Sequence, residues 1–279
     1  MRLANISGRA ALVVGEGRAV DVERASGGRF GPDLQALYAV WPAFEDWARG
    51  LVAGEGEPFD RSDLGPPSPR PGQVFAIGLN YREHAKEVGA DLPEQPVVFT
   101  KFQSSLAGPV GEVPVCPTMD WEAELVVVIG RPARDVSAAD AWDHVAGVAA
   151  GQDLSHRAMQ GSGPVPQQWS LAKSLPGFGP VGPWLVTPDD LPDRDSLAIE
   201  TIVNGEVRQS SRTDDLIFSV PALVEYLSGI LTLEPGDLIF TGTPSGVAVG
   251  RPDKPWLRPG DEVVTRVEGI GELLQTIVA

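Results

Sequence analysis

Glu122 and Glu124 stand two residues apart at the head of an apolar run, Leu125-Val126-Val127-Val128-Ile129. The β-branched run reads as a strand, and side chains two apart in a strand share a face at roughly 6.5–7 Å. Two ionised carboxylates at the mouth of a buried strand repel each other and lose hydration. A divalent cation between them resolves both problems; a basic partner for each, or a wet strand end, are the other resolutions. Asp153 ends a second apolar run, Ala146–Gln152, and faces the same mouth if the two strands pair. Three carboxylates with no histidine or cysteine ligand pattern beside them specify a hard ion, Mg2+ or Mn2+ ahead of zinc. Asp153 equally suits a turn or helix N-cap ahead of Leu154-Ser155-His156.

His84 lies in Asn80-Tyr81-Arg82-Glu83-His84-Ala85-Lys86-Glu87. If this segment is helical, Glu87 shares its face at i+3. A carboxylate on one imidazole nitrogen leaves the other as a general base for water; a solvated helix with ordinary surface pairs is the plainer reading. Lys101 ends the Val97–Thr100 run and Lys173 sits in a short apolar patch, where either ammonium can snorkel to water. Arg157 and Gln160 follow Asp153 closely enough to reach its mouth.

The elements that must position these residues are short. Strands are expected at Val74–Ile77, Val97–Lys101, Glu122–Ile129, Ala146–Gln152, Trp184–Thr187, Leu197–Val203, Asp237–Thr241, Glu262–Val267 and Glu272–Ile277. Helices are fewer: Arg82–Val88, Ala138–Asp143 and Asp214–Ile230, the last with Leu216, Ile217, Val220, Leu223, Val224 and Leu227 on one face. Ahead of them, Ala10–Val14 and Arg18–Val22 form a hairpin about Gly15-Glu16-Gly17, and Asp33–Val52 is helical with a break near Pro42. The proline-dense Gly65 to Gly72 reads as a connector, giving a small N-terminal domain, residues 1–70, and a second domain, 71–279. Many short strands with few helices indicate an α+β, β-rich sandwich or roll rather than a doubly wound sheet.

The chain has 279 residues and 38 Asp+Glu against 22 Lys+Arg, a net charge of −16. That charge disfavours nucleic acid and an anionic membrane as partners, and neither is expected. An anionic substrate then needs a metal ion or a few placed basic residues. The one cysteine, Cys116, allows no intrachain disulfide, and no secretory leader or apolar run of membrane-spanning length appears; the expected location is the cytoplasm. No complete nucleotide-binding glycine fingerprint or Walker lysine is present. Thr241-Gly242-Thr243-Pro244-Ser245-Gly246 follows a strand and reads as a functional turn.

These blocks together resemble the fumarylacetoacetate hydrolase family over Val74 to Val278. The resemblance runs through Ile77-Gly78-Leu79-Asn80-Tyr81, His84, Glu87, Lys101, Asp120-Trp121-Glu122-Ala123-Glu124, Asp153-Leu154-Ser155-His156-Arg157, Gln160 and Lys173-Ser174. It continues through Val203-Asn204-Gly205-Glu206, Thr241 to Val247 and Pro259-Gly260-Asp261. It implies a mixed β-sandwich roll behind a small N-terminal α/β domain, assembled as a homodimer. It also implies Mg2+ or Mn2+ on Glu122, Glu124 and Asp153, with a water-activating dyad of His84 and Glu87 on a lid. Lys173 would stabilise an oxyanion, and Tyr81, Lys101, Arg157, Gln160 and Thr243 would contact substrate.

The implied reaction is hydrolysis of the C3–C4 bond of a 2,4-dioxo acid, an acylpyruvate or a 3-deoxy-2,4-dioxo sugar acid. The partner is thus a small anionic 2-oxo acid. Relatives that decarboxylate oxaloacetate-type acids or isomerise 2-hydroxy-diene-dioates supply the alternatives on the same site, as does a non-catalytic metal- or ligand-binding relative. Two departures stand out. Asn80-Tyr81 occupies the region where the larger animal members place a fourth carboxylate ligand. The loop Gly161 to Trp169 is rich in Gly, Pro and Gln beside the expected substrate mouth.

Overall fold

Strand Ala123–Ile129 is buried along its whole length, which is why its sequence is apolar without alternation: both faces are covered. Ala123, Leu125, Val127 and Ile129 belong to one apolar core, with Val148, Ile199, Val224 and Leu273. Val126 and Val128 belong to another, with Leu3, Leu34, Trp41 and Phe44. The computed structural model describes residues 1–52, 54–164 and 168–279. Val165, Pro166 and Gln167, inside the loop singled out above, lie outside the described residues.

Among the described residues the architecture is β-rich α+β with mixed sheets. The large sheet runs in the order Glu57–Pro58, Arg18–Asp21, Arg9–Gly15, Arg2–Ile6, Gly179–Val186, Val145–Gln152, Ala123–Ile129, Leu238–Phe240, Val74–Gly78, Val97–Thr100. A five-stranded sheet, Glu206–Arg212, Ala198–Val203, Glu262–Val267, Gly271–Val278 and Val110–Pro114, packs against its face. Most neighbours are antiparallel, but Leu238–Phe240 pairs in parallel with Val74–Gly78, and Gly271–Val278 with Val110–Pro114.

The N-terminal hairpin forms as expected, with Arg9–Gly15 on Arg18–Asp21. Its neighbour Arg2–Ile6 pairs with Gly179–Val186, so residues before and after the proline-dense connector share one sheet. The helix expected over Asp33–Val52 is two, Leu34–Tyr38 and Trp41–Arg49. Pro42 lies in the first turn of the second, where its missing N–H costs no bond.

Two helix expectations require correction. Ala138–Asp143 is not an α-helix; a 3-10 turn covers Ala141–His144. Asp214–Ile230 is α-helical only from Val220, and a 3-10 turn covers Thr213–Asp215. Pro221 fits the first turn of a helix but not its interior, and the Ser219 hydroxyl caps the start by accepting from the Ala222 amide at 3.5 Å. Leu216 and Ile217 lie outside the helix; Leu216 forms a bridge with Tyr81, and the Ile217 amide donates to the Asn80 carbonyl at 2.8 Å.

At one end of the large sheet, strand Val97–Thr100 carries the short helix Trp169–Ala172 against it. The Thr100 amide donates to Ser170 Oγ at 3.3 Å.

Candidate active site

The strand register brings the three carboxylates together. Ala123 pairs with Gln152, and the Asp153 amide donates to the Glu122 carbonyl at 2.8 Å. One carboxylate oxygen from each of Glu122, Glu124 and Asp153 lies within 4.8 Å of the other two, and all three residues are buried.

Their surroundings differ. Glu122 accepts from Arg157 Nη2 at 2.5 Å and Lys173 Nζ at 2.5 Å. Burial alone would raise its pKa, but these two cations outweigh it and bring the carboxyl down to about 2. Asp153 accepts from Lys101 at 2.6 Å and Lys173 at 2.6 Å. Glu124 accepts from the Gly242 amide at 2.7 Å and, among the described residues, has no basic hydrogen-bond partner. Burial, then the charges of Asp153 and Glu122, push its pKa well above the carboxylate range.

The two lysines diverge for a related reason. Burial opposes the charge of Lys173, but Asp153 and Glu122 together outweigh it and raise its pKa. Lys101 has one carboxylate and two backbone carbonyls as acceptors, and burial wins, lowering its pKa.

A divalent ion fits this donor set. The ligands are all oxygen, they are buried and converge, and Glu124, pressed by its two carboxylate neighbours, has no hydrogen-bonded cation among the described residues. The same feature disfavours the reading in which each glutamate merely meets a basic partner.

A cavity of about 340 Å³ reaches the carboxylate cluster at Glu122 and is lined by Ile77, Gly78, Leu79, His84, Val88, Phe99, Glu122, Arg157, Gln160, Gly161, Trp169, Lys173, Thr243 and Val249. His84 enters it from the helix Arg82–Glu87. Its Nδ1 pairs with Glu87 Oε2 at 3.0 Å, and Glu87 Oε1 accepts from the Gly246 amide at 2.9 Å. The imidazole is thus oriented by a carboxylate that is itself oriented by the Thr241 to Gly246 turn. Asn80 anchors the helix base: its Nδ2 donates to the carbonyls of Thr241 at 2.7 Å and Phe218 at 3.0 Å, and its Oδ1 accepts from the Phe218 amide at 2.8 Å.

Of the expected substrate contacts, Arg157, Gln160 and Thr243 line this cavity, together with His84, Lys173 and Glu122. Lys101 does not, which corrects the expectation. Its ammonium is fully buried and donates to Asp153 and to the carbonyls of Lys173 and Phe178. An ammonium has three donors, so none remains for a substrate. The Val97–Thr100 strand end turns inward, and the snorkelling alternative fails with it. Tyr81 is likewise fully enclosed and outside the lining. Its hydroxyl has no hydrogen-bond partner among the described residues.

Residues that the sequence reading left without a role complete the frame. Asp120 accepts from Arg157 Nε at 2.7 Å and from the amides of Ala248 at 2.7 Å and Val249 at 3.0 Å. It has the same strand parity as Glu122 and Glu124, the signal that could have drawn it in. Gln209, from the five-stranded sheet, donates to Thr243 Oγ1 at 2.8 Å and accepts from the Ala123 amide at 2.9 Å. No local pattern marks it. A larger groove, about 690 Å³, lies between the N-terminal hairpin and Trp184, but no predicted site residue lines it.

The family model described as the C-terminal domain of fumarylacetoacetate (FAA) hydrolase matches residues 73–278. The chain is 40% identical over 238 residues to the mitochondrial oxaloacetate tautomerase FAHD2A of Homo sapiens, covering 83% of this chain and 75% of that one. A crystal structure of a Mycobacterium smegmatis protein carrying the provisional name HpcE superposes with a TM-score of 0.94 at 54% identity, over 100% of this chain and 99% of the other. The maleylpyruvate hydrolase of Sphingobium sp. SYK-6, solved with manganese(II) and pyruvate, gives 0.77 at 29% identity, over 100% and 99%.

Proposed function

This chain belongs to the fumarylacetoacetate hydrolase family of metal-dependent enzymes, and from that premise we propose that it hydrolyses the C3–C4 bond of a 2,4-dioxo acid. The observation that carries the reading is one cavity lined by His84, whose imidazole is held by Glu87, by the ammonium of Lys173 and by Glu122, the member of the three-carboxylate cluster that reaches it. A Mg2+ or Mn2+ ion on Glu122, Glu124 and Asp153 would supply a Lewis acid for the 2-oxo acid end of the substrate and a sink for enolate charge.

His84, held through Nδ1 by Glu87, takes a proton from water at its other nitrogen as the water oxygen bonds to C4. Lys173 donates two hydrogen bonds to carboxylates, which leaves one ammonium proton for the oxyanion forming at C4. Collapse of that adduct breaks C3–C4, the electron pair staying on C3 as the pyruvate enolate. C3 then takes up the proton that His84 holds. One water and one acylpyruvate become one carboxylate, one pyruvate and a proton.

The 40% identity to a tautomerase favours a second reading. Keto–enol exchange of an oxaloacetate-type acid needs proton transfer at C3 but no attacking water. Turnover of acylpyruvates in 18O-labelled water with Mg2+ separates the two. Label in the released carboxylate supports hydrolysis; enol–keto exchange of oxaloacetate with no acylpyruvate cleavage would sink it. The homodimer implied by the family would sediment at twice the 29.6 kDa chain mass.

A further inference from the structure

The cavity lining divides by chemistry. Arg157 and Lys173 are its basic side chains, and both are held at the carboxylate cluster. Arg157 donates through Nε to Asp120, through Nη1 to Gln160 and through Nη2 to Glu122. The rest of the wall is largely apolar: Ile77, Leu79, Val88, Phe99, Trp169 and Val249. Phe99 and Trp169 form one surface, with ring centroids 5.6 Å apart and planes at 76°. It begins where the charged end stops, since Lys173 Nζ lies 5.3 Å from the Phe99 ring.

Gly78 sets where Trp169 sits. A β-carbon added there would lie 2.3 Å from Trp169 Cζ3, so the indole occupies the space that a side chain would take.

Resting on the 2-oxo acid reading above, we propose that the group beyond C4 of the substrate is uncharged and apolar, and that Trp169, seated on Gly78, fixes how long it can be. The 2-oxo acid end already engages the charged part of the site. A second carboxylate at the far end would lie against Phe99 and Trp169 with no lysine or arginine among the described residues lining that end to receive it, and an unpaired charge there loses its hydration without compensation. The substrate class is therefore an acylpyruvate with a short hydrocarbon acyl group. Diacids such as maleylpyruvate are disfavoured.

The test compares two ligands of equal length, 2-oxohexanoate and 2-oxoadipate, binding to the intact Mg2+-loaded protein by calorimetry. Alongside it, kcat/KM is measured for acyl-chain and diacid 2,4-dioxo acids. The expected result is at least about tenfold tighter binding of 2-oxohexanoate. Equal or tighter binding of 2-oxoadipate overturns the proposal. Trp169→Ala should move the preferred acyl chain to greater length, and Gly78→Ala, which pushes the indole into the cavity, to shorter length. Because each is read as a ratio between ligands, partial loss of protein does not blur it. An unchanged length preference in both variants overturns the role of Trp169. The hydrocarbon preference in binding with no cleavage of any acylpyruvate would support the ligand class and overturn the hydrolytic reading alone.

Discussion

Glu87 uses one carboxylate oxygen on His84 and the other on the Gly246 amide, so the dyad is fixed from both sides. His84→Gln should lower kcat for acylpyruvate cleavage by about 10²–10⁴-fold while Mn2+ affinity, measured by calorimetry, stays within about twofold. Undiminished hydrolysis would remove His84 from the chemistry. Glu124 allows a test of the metal site by pH. Its folded pKa lies above the ordinary 4.5, so in the metal-free chain stability is greatest while both folded and unfolded forms are protonated. It is lost as pH rises from there through the folded value. A divalent ion removes that cost, so the rise in Tm on adding Mn2+ should grow as pH rises above the ordinary carboxylate range, and Glu124→Gln should flatten the trend. Equal shifts at all pH values in the parent protein would contradict it. The glutamate pair was legible because strand parity is a local property: 122 and 124 must share a face once the run is a strand. Arg157 was legible too, from its closeness to Asp153, whereas Lys101 and Lys173 come from separate segments whose approach no spacing encodes and were given roles only through the family resemblance.

At the level of elements, the turn from Thr241 to Gly246 links the end of strand Leu238–Phe240, the helix Arg82–Glu87 and the cavity. Gly246 has a φ of 107°, and a β-carbon there would lie 2.1 Å from the Arg208 carbonyl oxygen. Gly246→Ala should therefore cost about 3 kcal/mol in urea unfolding and lower turnover, because the turn that holds Glu87 must shift. A variant of parental stability and activity would show that the turn yields without effect. The misread helix at Asp214–Ile230 has a specific cause. Leu216 and Ile217 fall at helical spacing with Val220 and Leu223, yet Ile217 donates its amide to the Asn80 carbonyl. Periodicity registers which residues are apolar, not which backbone groups are already committed elsewhere.

For the whole molecule, the large sheet joins Arg2–Ile6 to Gly179–Val186, and one apolar core combines Leu3, Leu12 and Phe44 with Val126, Val128 and Phe240. The fragment 71–279 should accordingly be aggregated or unfolded by size-exclusion chromatography and circular dichroism, having lost the cover of a sheet face and an edge partner. A monodisperse, folded fragment would show that the catalytic unit is self-sufficient. The proline-dense connector was visible in sequence, but a strand pairing across more than 170 residues was not. The helix Trp169–Ala172 carries a last consequence. Trp169 walls the cavity, while the next residue, Ser170, accepts the Thr100 amide of an end strand. Mutational drift that reshapes the wall for a new acid therefore disturbs the guard on an exposed strand edge, the usual starting point for self-association. If Trp169 sets substrate range as proposed, substrate range and solubility would be coupled through two adjacent residues. Variants selected for larger acids should need a compensating edge charge before they express well.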